Sequence, residues 1–96
     1  MLEKRFLIGR VKAEDGIMDF DVEYYIIEKS KLYSIAIVKE QGTPWGEDRR
    51  IEAEISFPIS ESRGCVESLA RKLMSNLVTP RSMYECIDDL YEVWCQ

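Results

Sequence analysis

The stretch VESLARKLMSNLVTPRSMYECIDDLYEVW, residues 66–94, decides the fold. Its break falls at Leu77-Val78-Thr79-Pro80. Proline is tolerated in a helix only in the first turn, where its missing N–H would be unpaired anyway. Thr79 is then the N-cap, its hydroxyl accepting from the next turn. The spacing therefore predicts one helix over about 61–77, ending near Leu77, and a second over about 80–94. In the first, Val66, Leu69, Ala70, Leu73 and Leu77 fall on one stripe at 3.6-residue spacing, with Ser60 or Ser62 as cap and Gly64 weakening the first turn. In the second, Met83, Ile87, Leu90 and Trp94 form the stripe, flanked by Cys86 and Tyr91, while Glu85, Asp88, Asp89 and Glu92 take the far side. Two such stripes need a sheet, and each other, to cover them.

The residues before this stretch supply the sheet. Residues 3–12 are β-prone around Phe6-Leu7-Ile8 and Val11 but alternate poorly: Leu7, Gly9 and Val11 share one face, Phe6 and Ile8 the other. Asp15-Gly16 suits a tight turn with positive φ, which predicts a hairpin into a second strand over 18–29. That strand alternates best, with Phe20, Val22, Tyr24 and Ile26 against Asp19, Asp21 and Glu23, until Tyr25 and Ile27 make the wet face apolar. After the polar turn Glu28-Lys29-Ser30-Lys31, residues 32–40 set Tyr33, Ile35 and Ile37 against Leu32, Ala36 and Val38. A strand apolar on both faces is usually central. Residues 41–48 hold two glycines and Pro44, form a loop, and carry Trp45 at its tip. Residues 50–57 then set Ile51, Ala53, Ile55 and Phe57 against Arg50, Glu52, Glu54 and Ser56, with Pro58 ending the strand. The expectation is a single α+β domain, residues 1–96: an antiparallel meander of four strands followed by two helices on one face.

The strand Tyr33-Ser34-Ile35-Ala36-Ile37 and the segment Ile59 to Leu90, with Leu73 and the Leu77-Val78-Thr79-Pro80 junction ahead of Asp88-Asp89-Leu90, resemble a family of small Firmicute proteins, the domain of unknown function DUF6514. The likeness covers half to two thirds of the chain. It implies an α+β fold in a Gram-positive cytosolic protein and brings no activity to transfer.

Composition argues against several functions. With 13 Lys and Arg against 18 Asp and Glu, the chain carries a formal charge of −5, and its basic residues are scattered. This acidic balance does not suit a nucleic-acid binder, which neutralises phosphates with clustered Lys and Arg. There is no histidine, so the commonest general base near neutral pH and every Ser-His or Cys-His pair are missing. The five glycines form no phosphate loop. Neighbouring carboxylates on a helix diverge by about 100°, so Asp88 and Asp89 read as a solvated face and not as metal ligands. Cys65, Cys86 and Cys95 show no C-x-x-C spacing and read as reduced thiols, the first two as core. No apolar run reaches membrane length. We expect no metal, no cofactor and no enzymatic activity, in a cytoplasmic protein.

What remains is contact surface. Tyr25 and Ile27 on the nominally wet face of the second strand call for a cover, which is either a partner or the folded-back loop bearing Trp45. Trp45, between Pro44 and Gly46, is either that lid or an exposed anchor of the kind that dominates interface energies. The reading is a non-catalytic interaction module or homodimer. Its alternative is a small-molecule-binding or catalytic domain with a pocket between sheet and helices.

Overall fold

The computed structural model describes residues 3–15, 18–42 and 49–94. The loop tip with Trp45 and the Gly16 turn therefore lie outside the described residues. Strands β1 (Lys4–Asp15), β2 (Met18–Lys29), β3 (Leu32–Gly42) and β4 (Arg49–Ile55) make one antiparallel sheet in the order β1-β2-β3-β4. Helices α1 (Arg63–Ser75) and α2 (Met83–Trp94) follow, joined through a short 3-10 turn, Pro80–Ser82. This is the expected α+β meander with two C-terminal helices packed on the sheet.

The core lies between sheet and helices. Val22, Tyr24 and Ile26 of β2 and Ile35 and Ile37 of β3 meet Val66, Leu69, Ala70 and Leu73 of α1 and Met83 and Ile87 of α2 in one buried cluster. Full burial of each such side chain contributes about 1.5–3 kcal/mol relative to leaving it exposed. The sheet contributes alternate residues to this cluster because side chains along a strand point to opposite faces.

Two strands depart from their simple alternation. In β1 the register shifts between Leu7 and Gly9, a bulge. Phe6 and Val11, which strict alternation puts on opposite faces, both pack against the core in consequence, with Ile8 at the bulge. Gly9 then sits under α1 so closely that a Cβ there would lie 2.5 Å from Met74 Sδ. In β4 the apolar set of the alternation faces away from the helices. Ile51 and Ile55 are exposed while Ser56 is buried, because Ile55 pairs with Ala36 and so shares the face that the helices leave uncovered.

The end of β4 explains where the strand stops. Ser56 N donates to Ile35 O at 2.8 Å, but Ile35 N donates to Ser56 Oγ, 2.9 Å, in place of a backbone carbonyl. The chain next meets β3 at Ile59 and Ser60, through Ile59 N to Tyr33 O and Tyr33 N to Ser60 O. Phe57 and Pro58 span the gap, a place where proline's missing N–H removes no ladder bond.

The helix junction is also built differently from its sequence reading. Ser62 caps α1, its hydroxyl accepting from Cys65 N at 3.3 Å, while Ser60 Oγ accepts from Ser62 N. At the other end Leu77 takes a left-handed φ of 52°, Leu77 N donates to Met74 O and Val78 N donates to Leu73 O. This is a Schellman closure with leucine where glycine is usual, and the accompanying apolar contact comes from buried Leu73 and Val78. Thr79 makes no side-chain cap. The turn after it is closed by the backbone, Ser82 N donating to Thr79 O, so α2 begins at Met83 and not at Pro80.

Candidate functional site

The sheet face away from the helices is where the sequence placed its contact residues. Strand register aligns Leu7, Tyr25, Ala36 and Ile55 in one row across all four strands. Beside it run Val38 opposite Ala53 and, further along, Ile51 of β4. Leu7 is 56% exposed, Ile51 64% and Ile55 47%. Phe57, 54% exposed, stacks on Tyr84 of α2 with ring centroids 6.0 Å apart, and the Tyr84 hydroxyl donates to Ile55 O at 2.9 Å.

Tyr25 and Ile27 both lie on this face, in different settings. Ile27 is buried outside the main core cluster, paired across the strands with Arg5 and Ser34. Tyr25 is half-buried, and its hydroxyl donates to Glu23 Oε2 at 3.0 Å, where Arg10 also stands at 3.3 Å. Burial first, and then the bond to Glu23, push the Tyr25 hydroxyl above its ordinary pKa. This charged knot bounds the apolar row on one side. Trp45, the third expected contact residue, lies outside the described residues.

Sequence reading missed Leu7, Ile51, Ile55 and Phe57 as surface. Alternation fixes which residues share a face of a strand but not which face turns inward. A usable signal was present in the register. Counting the short β2–β3 turn back from Ser30 and Lys31 pairs Tyr25 with Ala36, so the apolar outer positions of two neighbouring strands reinforce one another.

Other candidate chemistry stays dispersed. Asp88, Asp89 and Glu85 are exposed on α2, and among the described residues no three His, Cys, Asp or Glu side chains come together in a way that could hold a metal ion. Cys86 is a free thiol whose pKa is raised by burial and further by Asp89 and Glu85, which disfavours the reactive thiolate. Cys65 is disulfide-bonded, which corrects the expectation of reduced thiols at that position. No described helix is long and apolar enough to cross a membrane.

Sheet, helices and open face define a small two-layer α+β domain. The chain belongs to a family of unknown function, DUF6514, whose model matches residues 4–93. No curated protein and no solved structure matches it.

Proposed function

We propose that this protein is a non-catalytic interaction module whose contact surface is the open sheet face. The observation that carries this reading is the Leu7–Tyr25–Ala36–Ile55 row with Ile51 beside it, in which Leu7, Ile51 and Ile55 are exposed apolar side chains on one face, Tyr25 is half-buried and Ala36 is buried between them. Such patches mark interfaces more often than they mark idle surface. Filling of the layer between sheet and helices by Tyr24, Leu69, Leu73 and Met83, all fully buried, supports this reading over a ligand pocket there. Absence of histidine and the raised Cys86 thiol pKa support a role without catalysis.

The test is a Leu7→Lys, Ile55→Lys double variant. Both positions are exposed, so the fold tolerates the charges while the apolar row is interrupted. Affinity capture from the native host should show contacts made by the wild type and lost by the variant. Equal sets of bound proteins for the two would refute the assignment of this face.

A further inference from the structure

We infer that two copies of this chain join antiparallel along the outer edge of β4, which no described strand pairs, with Ile51 on the two-fold axis. The inference goes beyond the open-face reading above: pairing at the edge leaves that face accessible and adds a separate contact with a stated register. The backbone of β4 sets the first condition. Ser56 exchanges its bonds with Ile35, and ladder bonds alternate along an antiparallel strand, so Glu54, Glu52 and Arg50 also turn their N–H and C=O groups toward β3. Ile55, Ala53, Ile51 and Arg49 therefore turn theirs outward, in agreement with the Tyr84 hydroxyl reaching Ile55 O from outside the sheet. Tyr84 thereby closes the C-terminal end of the edge, and among the described residues no strand pairs with residues 49–53 on this side.

Only one register satisfies this edge. With Ile51 opposite Ile51 of the second copy, Arg49 meets Ala53 and Ala53 meets Arg49, and each pair joins residues whose backbone groups point outward. Residues between them then make Arg50 face Glu52 of the second copy, twice, by symmetry. Moving the axis to Glu52 sets Glu52 against itself and asks Ile55, already bonded to Tyr84, to pair with Arg49. Moving it to Ala53 sets Glu52 against Glu54 twice. Like charges directly opposite destabilise a strand pair and opposite charges stabilise it, so within residues 49–53 the Arg50 and Glu52 charges are self-complementary only about Ile51.

Joined this way, two copies form one eight-stranded sheet with both helical layers on the same side, and the Ile51 side chains extend the apolar row across the axis. The opposite edge does not offer the same template. Strand β1 is broken by its bulge and studded with Arg5, Arg10, Lys12 and Glu14, devices that discourage edge pairing.

A charge-swap series tests the register by sedimentation equilibrium of the whole chain. Wild type should dimerise as concentration rises, and Arg50→Glu or Glu52→Arg alone should each weaken the dimer about tenfold by making two like-charge pairs. Mixing the two single variants, or combining both changes in one chain, should restore dimerisation. Thermal melts control for the in-sheet neighbour of Glu52, which is Lys39. Ala53→Pro provides a second route: it deletes an outward N–H that β3 does not use and should leave a folded monomer. A wild type that stays monomeric overturns self-association while leaving the capture test of the open face standing. A dimer that survives both charge swaps but is lost in Leu7→Lys, three strands away, overturns the edge register in favour of pairing through the face.

Discussion

Removal of one hydroxyl tests how the helix junction is fastened to the sheet. Tyr24 is fully buried in β2, and its hydroxyl donates to Val78 O at 2.8 Å, joining the sheet to the residue that completes the α1 closure. Tyr24→Phe keeps the ring and leaves the Val78 carbonyl without this partner in an apolar layer, so it should destabilise by about 1–3 kcal/mol near neutral pH. For a chain of this size that is a fall in melting temperature of about 4–8 °C per kcal/mol. Burial also pushes the Tyr24 pKa from 10.0 to about 12. A group whose folded pKa is raised contributes stability that is fully present below its unfolded value and is lost as pH climbs through the folded one. The window is therefore pH 10 to about 12. At about pH 11 the unfolded tyrosine is about 90% ionised and the folded one about 10%, a tenfold bias that removes about 1.4 kcal/mol from the wild type alone. Denaturant titrations of both proteins at about pH 8 and about pH 11 should show the cost of Tyr24→Phe shrinking by that amount, because phenylalanine has nothing to ionise. A variant as stable as wild type at the lower pH, or a difference that does not change with pH, would refute the tether.

The junction gives a contrasting pair. Thr79→Ala should change stability by less than about 0.5 kcal/mol, whereas Ser62→Ala should cost about 1 kcal/mol, since only Ser62 accepts from the helix backbone. Equal costs in denaturant melts would show that Thr79 does cap. At the β2–β3 turn, Ser30 and Lys31 hold left-handed φ values of 54° and 66°, a conformation that costs a residue with a Cβ about 1–2 kcal/mol. Lys31→Gly should raise the melting temperature, by about 0.5–1 kcal/mol of stability after glycine's greater unfolded-state entropy is deducted. A lower melting temperature would mean that the Lys31 side chain contributes more than its backbone loses.

Elements with a strong local signature were legible in the sequence. Strand β2 shows its inward face because Val22, Tyr24 and Ile26 alternate with carboxylates, and the helix stripes through Leu69, Leu73, Met83 and Ile87 bury as their spacing requires. The bulge after Leu7 was not legible, since one extra residue inverts every later position and nothing local distinguishes it from poor alternation. Nor was the left-handed Leu77, because leucine is held there by the closure around it and by its packing on the core, not by its own preference.

Strand β4 shows why the contact surface in particular was hidden. Its pattern of apolar and charged residues is as clean as that of β2, yet it is turned the other way, with Ile51 and Ile55 outward and buried Ser56 inward. The reversal follows from its neighbour. Strand β3 is apolar on both faces, so hydrophobic matching does not choose between them, and the register fixed by the Ser56–Ile35 exchange decides instead. An isolated chain exposing Ile51 and Ile55 while turning Glu52 and Glu54 toward the helical side gains little from that orientation. It becomes favourable when a partner covers the open face, and the same orientation of the strand aims the backbone groups of Ile51 and Ala53 away from β3. Apolar surface, open edge and self-complementary charge therefore coincide on β4, and it is the strand on which substitutions should separate folding from association.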